Sequence, residues 1–488
     1  MEKLKSFLFE NKTLKQTFFK NTFWLTLGTG TSKIIHAVLI IVAARILHAD
    51  GYGVLAYALS FAGFFTIFSD IGLSSLLTRE MAKRKDEEAI PYLATTFYLK
   101  LVLITLSIVF TAVVGPYFTK IEAVKSIIPI IAFLTAFDSM SNFFFSVTRA
   151  YNKMEIESRF VIFTEVMVTS LSLIALLIHP TPGFMAFGYT LGSGIGCLAI
   201  GIKIRKIWMP AIKHSFDKKL IKEIVSSAWP FAIMGLLGSF MINIDSLIIG
   251  WFRNAYELGL YAAAQKPVQL LYIMPSLMGA SLFPLVSKMV HEKRDSDVEK
   301  VTNQLLRAVF LMALPMTLGG IILGHEFIGL VFGNSYLPAT LTFQLLLLTL
   351  MPVFAGIIMG NAVFAYNKQK IFLRTTLIGA VLNTGLDFLL IPAYGIAGSA
   401  VATVISQICA NGYTWYRLNE VMEIPPLKGL GRGIVATVIM SILVYSMTTI
   451  GISIIPTLIT AIILYPLLLI LFREPLLKSV PIINRFAK

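Results

Sequence analysis

Thr22, Thr26, Thr29, Lys33 and His36 recur at i, i+4, i+7, i+11 and i+14, one narrow stripe on a stretch that is otherwise apolar. An ammonium group inside hydrocarbon costs about 2.5–3.5 kcal/mol even on the mildest scale, so it normally faces protein or water. Lys33 lies more than ten residues into the stretch, too far in for its side chain to snorkel to the interface. At low effective dielectric such a group binds anions, phosphate above all, while neighbouring hydroxyls and amides suit a sugar.

Other stretches carry similar one-sided polarity. Gly63, Thr66, Asp70 and Ser74 share a face, as do Gln265, Gln269, Tyr272 and Ser276 with Lys266 beside them. Ser239, Asn243 and Ser246 line up, with Asp245 off the line; Thr376, Asn383 and Asp387 form another set, and Asp138, Asn142 and Arg149 a third. The candidate transport-cavity residues are therefore Lys33, His36, Asp70, Lys266, Gln265, Gln269, Asn243, Asp245, Asn383 and Asp387. Asp70, Glu165, Asp245 and Asp387 are the carboxylates available for coupling to H+ or Na+, and Glu165 serves equally as an interhelical hydrogen-bonding partner. Ser and Thr alone are weak signals, because they bond their own helix backbone. Asp138, Arg149, Arg159 and Arg374 lie near segment ends, where interfacial or structural ion pairs are the competing reading.

The elements that must position these residues follow from composition. Of 488 residues 56% are hydrophobic and 14% charged, and mean hydropathy is +0.79; a soluble globular chain carries roughly 25% charged residues. Apolar runs of about 20 residues, enough to cross ~30 Å of hydrocarbon, recur from end to end. The expected fold is an all-α polytopic membrane protein with about fourteen transmembrane helices, the first near 22–46 and the last near 452–472. The lysine-rich N-terminal head runs into a full-length apolar stretch, which reads as a retained first helix.

Lysine and arginine fix the expected orientation. Both tails and the even-numbered loops hold 33 of the 41, whereas the odd-numbered loops hold four: Arg45, Lys120, Lys125 and Arg253. Both ends are thus expected in the cytoplasm. The net charge of +15 is then a topology signal, and no nucleic-acid partner is expected, since no concentrated basic face exists. Cys197 and Cys409 read as packing residues within spans.

The peptide RAYNKMEIESR at 149–159 returns as FAYNKQKIFLR at 364–374. GYGVLAYA at 51–58 is echoed by ELGLYAAA at 257–264 with Gly53 on Gly259, an offset of 206, and PGFMAFG at 182–188 by YGIAGSA at 394–400. Ordered matches at nearly constant offset indicate an internal duplication. A six-helix repeat implies parallel copies related by an axis along the membrane normal. The expected organisation is an N-lobe at 1–205, a cytoplasmic linker at 206–223, a C-lobe at 224–420, and helices thirteen and fourteen with a tail at 421–488. Two such lobes are expected to leave a cleft. Arg79, Glu80, Arg149, Lys153, Arg159, Lys368 and Arg374 are the candidate cytoplasmic gate or elbow residues.

The stretch LHADGYGVLAYALSFAGFFTIFSDIGLSSLLTREMAKRK, with Asp70, Gly72, Leu73, Arg79 and Glu80, resembles the N-terminal signature of Wzx-type polysaccharide flippases. NIDSLIIGWFRNAYELGLYAAAQKPVQ resembles the element opening the second half, and AYNK followed by a basic residue resembles the loop 10–11 peptide. The resemblance spans roughly 20–420, within the multidrug/oligosaccharidyl-lipid/polysaccharide exporter superfamily. It implies two six-helix lobes in a V and alternating access. The implied cargo is a polyprenyl-(pyro)phosphate-linked oligosaccharide carried from the cytoplasmic to the outer leaflet of a prokaryotic plasma membrane. Lipid and other polysaccharide-assembly membrane proteins are the implied partners, and a monomer is compatible with it. On that reading Lys33 contacts the phosphate.

A multidrug exporter or a lipid II flippase of the same superfamily is the alternative. The first usually needs an acid on helix one, which here carries Lys33; the second resembles an arginine-rich cleft, and helix one offers only Arg45 at its outer end. A membrane-embedded glycan polymerase or ligase is disfavoured, for no large loop, Asp-x-Asp or zinc-spacing cluster occurs. No P-loop is present, so no nucleotide is implied; no metal or other cofactor is expected.

Overall fold

The computed structural model describes residues 9–10, 14–84, 86–214, 216–425 and 429–476. Most of residues 1–13 of the lysine-rich head and most of the C-terminal tail expected from sequence lie outside them. All regular structure among the described residues is helical. Eleven helices are long and apolar enough to cross a membrane, or twelve when the pair Asn334–Leu347 and Leu350–Ala365, bent by 42°, is taken as one span. That count alone does not confirm the fourteen expected. Two of the eleven, Phe19–Ser69 and Gln369–Asn419, run 51 residues each, more than double the roughly 20 that a crossing needs. Each is broken once, at His48 (φ 54°) and at Gly395 (φ 59°).

The chain separates into two compact units, Met1–Gly259 and Leu260–Lys488. In the first unit α1 is Leu14–Phe65, α2 Leu73–Met81, α3 Asp86–Val114, α4 Ile128–Ala150, α5 Met154–Ile178, α6 Pro182–Lys203 and α7 Lys218–Phe252. Leu76, Tyr92, Phe143, Ile200 and Ile224, one from each of five helices, form the heart of its apolar core.

Glycine sets how closely these helices approach. Gly188, Gly192 and Gly196 line one edge of α6, and a Cβ on them would stand 2.5, 2.5 and 2.1 Å from atoms of Leu171, Val168 and Thr164 on α5. This small-xxx-small spacing lets two backbones pack where lipid offers no hydrophobic drive. Gly53 and Gly259 meet more closely still. A Cβ on Gly53 would fall 1.7 Å from the Ala255 carbonyl oxygen, and one on Gly259 would fall 1.9 Å from that of Ala49. The exchange is reciprocal, and both pairs of positions are separated by the 206 residues at which the sequence aligns with itself.

In the second unit α8 is Ala255–Leu271, taken from Leu260 onward, α9 Ile273–His291, α10 Asp295–Ile322 and α11 Leu350–Ala365. Then come α12 Gln369–Asn419, α13 Gly431–Thr449 and α14 Ile454–Leu471. The last two dock on α10. Leu311, Met440, Val444 and Leu469 share a buried cluster, and the Tyr465 hydroxyl donates to the Leu311 carbonyl at 2.7 Å. Arg307 of α10 pairs with the fully buried Glu474 just beyond α14.

Candidate functional site

The first half of α1 presents three distinct faces. Phe23, Leu27, Ile34 and Val38 make an exposed apolar stripe, while Ser32, Leu39 and Ala43 are buried. At about 100° per residue, Thr22, Thr26, Thr29 and Lys33 fall on a third face, about 120° from the apolar stripe. Thr29 and Lys33 are exposed there, and Lys33 makes no hydrogen bond or ion pair among the described residues. The ammonium is held by helix geometry alone, on a polar strip apart from the apolar exposed one.

One turn beyond, α1 turns its polar edge to the bundle. His36 Nδ1 lies 2.8 Å from Glu165 Oε1 of α5, with side-chain exposures of 31% and 19%. The Tyr189 ring of α6 meets the imidazole edge-on at 6.1 Å between centroids. Nearby Ser193 of α6 donates to Asp138 of α4 at 2.5 Å. The glycine seam between α5 and α6 fixes Glu165 against Tyr189 and Ser193. Four helices thus place two carboxylates, an imidazole, a phenol and a hydroxyl together, and among the described residues no group of His, Cys, Asp and Glu has metal-binding geometry.

Asp70 has a different setting from the continuous helix face expected. After Phe65 the backbone tightens into a 3-10 turn, and Ile71 and Gly72 take φ of 40° and 79° before α2 begins. A Cβ on Gly72 would lie 2.6 Å from the Ala232 backbone nitrogen, so only glycine fits there. The Asp70 carboxylate accepts from Ser74 at 2.5 Å and pairs with Lys100 of α3, whose side chain is fully buried. Lys100 had no role in the sequence reading. A lone lysine in one span and a lone aspartate in its neighbour were the available signal.

Among the remaining candidates, Asn243 donates to its own helix carbonyl at Ser239 (2.9 Å) and lies over Gly63. Asp245 is buried. In the second unit Gln265 is buried and donates to Tyr261 (3.3 Å), while Lys266 and Gln269 are half-buried on the same helix. Asn383 donates to Asp387 at 3.2 Å, both buried.

The doubled peptide has one backbone conformation in both places. Asn152 and Asn367 hold φ of 53° and 55°. Lys153 N bonds Thr148 O at 2.9 Å and Lys368 N bonds Val363 O at 2.9 Å; Ile156 and Ile371 then donate to Lys153 O and Lys368 O. This is a helix C-cap closed by a left-handed asparagine, followed at once by a new helix. The AYNK residues therefore encode a stop and restart. Lys153, Lys368 and Arg374 are exposed. Arg149 forks onto the buried Glu157 (Nε to Oε2, 2.8 Å), and Arg159 stacks over Trp24 and Phe9. The first copy also receives Lys20, whose buried ammonium reaches Asn152 O at 3.2 Å and Glu155 at 3.0 Å. In the second copy the Tyr366 hydroxyl donates to Asp295 at 2.9 Å, and burial together with that carboxylate raises its pKa. Arg79 and Glu80 bond each other at 2.7 Å, and Arg84 beside them reaches Glu223 at 2.5 Å.

Comparison with known proteins adds independent findings. A family model described as "Polysaccharide biosynthesis protein" matches residues 18–290, and a MatE model matches 230–389. The chain is 25% identical over 213 residues to "Probable low-salt glycan biosynthesis flippase Agl15" of Haloferax volcanii, covering 43% of this chain and 45% of that one. It is 23% identical over 189 residues to "Capsular polysaccharide biosynthesis protein CapF" of Staphylococcus aureus, covering 39% and 48%. The matched stretch spans less than half the length of these two relatives. Among solved structures, "Lipid II flippase MurJ, inward closed conformation" superposes with TM-score 0.76 over 92% of this chain and 98% of that one, at 17% identity. That likeness shows a shared fold.

Proposed function

This chain belongs to the polysaccharide biosynthesis protein family, and we propose from that premise that it is a flippase for lipid-linked oligosaccharide. Its cargo would be a polyprenyl-(pyro)phosphate glycan, moved from the cytoplasmic to the outer leaflet of a prokaryotic plasma membrane by alternating access, with both termini in the cytoplasm. The two AYNK elbows, alike in backbone conformation, support the duplicated lobes at 1–205 and 224–420. The observation that carries the reading is Lys33, an exposed ammonium with no counter-charge among the described residues, on the polar face of a spanning helix. A phosphate or pyrophosphate supplies the missing charge, and the threonines beside Lys33 meet the first sugar.

Coupling is assigned to a proton gradient through the His36–Glu165 pair, whose Nδ1 and Oε1 lie 2.8 Å apart. Asp70, by contrast, is ion-paired with Lys100. The test is translocation of a fluorescent lipid-linked oligosaccharide in proteoliposomes, read by quenching from outside. Lys33→Ala should slow it at least about tenfold, the worth of one charge-assisted contact, while Lys33→Arg keeps most of it. Absence of translocation by the unaltered protein, or an unimpaired Lys33→Ala variant, would overturn the proposal.

A further inference from the structure

The start of α10 carries Ser296, Glu299, Lys300, Asn303, Gln304 and Arg307, spaced i, i+3, i+4, i+7, i+8 and i+11. One face of the helix is therefore polar over three turns, where the rest of the span is apolar. That face borders a cavity of about 580 Å³, closed on its other side by Pro425, Gly429 and Leu430. The volume falls in the range of small-molecule sites, roughly 300–1,000 Å³.

Three of the polar residues are already engaged. Asn303 donates to Glu423 O at 2.9 Å, and Glu299 accepts from the Glu423 backbone nitrogen at 3.4 Å, so both hold the segment leading to α13. Arg307 is committed to Glu474, and Gly429, at φ 84°, leaves the space its guanidinium occupies, for a Cβ there would stand 2.8 Å from Nη1. Lys300 and Gln304 are exposed and have no hydrogen bond or ion pair among the described residues. An ammonium and an amide thus line the mouth of a cavity whose inner wall is apolar Leu306 and Leu430.

This polarity, cationic outside and apolar within, matches a lipid headgroup continuous with its acyl chain. Lys288, Lys293 and Arg294 precede the helix, so the cavity lies on the lysine- and arginine-rich side. Basic pockets between spans on the cytoplasmic side are where anionic headgroups bind.

We propose that this cavity binds the phosphate of an anionic membrane phospholipid, with Lys300 and Gln304 on the phosphate and the glycerol end against Leu306 and Leu430. The bound lipid seals the joint by which α13 and α14 attach to α10. The site is separate from the Lys33 face and does not depend on the cargo assigned there.

The test is native mass spectrometry of the full chain released from nanodiscs of phosphatidylglycerol or of phosphatidylcholine. The unaltered protein should retain phosphatidylglycerol over phosphatidylcholine, and Lys300→Gln with Gln304→Ala should lower that retention about tenfold. Lys293→Gln, outside the cavity, should change nothing. Both altered positions are exposed, so folding is preserved, and an unchanged melting profile verifies it. Equal retention of the two lipids, or undiminished phosphatidylglycerol on the double variant, overturns the proposal. Inorganic phosphate displacing the lipid at equimolar concentration overturns it in favour of a free-anion site.

Discussion

The Asp70–Lys100 pair allows a prediction whose size follows from unequal exposure. Lys100 is fully buried, whereas Asp70 keeps 20% of its side chain exposed and also accepts from Ser74. Removing one member of a buried pair strands the other, at about 3–5 kcal/mol. Asp70→Asn leaves the ammonium with no solvent, so it should cost the full amount. Lys100→Met leaves a carboxylate with partial solvent and one hydroxyl, so roughly 1–3 kcal/mol is expected. Combining Asp70→Asn with Lys100→Met removes both charges and should recover most of the loss, giving a coupling energy of at least about 2 kcal/mol. Thermal unfolding in detergent, followed by size-exclusion of the soluble folded fraction, reads the order directly. Asp70→Asn should melt lowest, Lys100→Met next, and the double variant nearest the unaltered chain. The double variant should also still translocate cargo. Equal single effects that simply add would refute the reasoning, as would a double variant that folds but is inactive.

Asn152→Gly keeps the left-handed conformation but loses the bond from Asn21 (3.2 Å), so it should destabilise by about 1 kcal/mol. Asn367→Gly should be near neutral and Asn367→Ala should cost about 1–2 kcal/mol, all read from melting curves. Gly53→Ala should abolish folded material on size-exclusion, because its new methyl meets a carbonyl oxygen, whereas Gly385→Ala, with open space around it, should be silent. His36→Gln and Glu165→Gln should each abolish the acceleration of translocation by an imposed proton gradient and leave downhill movement measurable.

Fold class was legible because hydropathy and length alone decide it. The break at His48 was legible too, just past the expected end of the first span near 46. The turn at 66–72 was not, because the i, i+4 spacing of Asp70 and Ser74 suggested continuity. The exposed polar strip bearing Thr29 and Lys33 was legible because periodicity within one helix sets its angle to the apolar stripe. The partners of His36, Asp70 and Lys20 were not, because each lies on another helix, 129, 30 and 135 residues away. The AYNK repeat was visible as letters, yet its meaning lay in a backbone angle. Asparagine is among the few residues that tolerate φ near 55°, and that tolerance links the two copies more tightly than their charges do.

The crossing of Gly53 and Gly259 is self-complementary. Position 49 touches 259 and position 255 touches 53, which is how a surface docks onto its own twin in a self-complementary dimer. Each glycine is therefore demanded by the backbone opposite it, and a side chain at either position alone would meet a carbonyl oxygen.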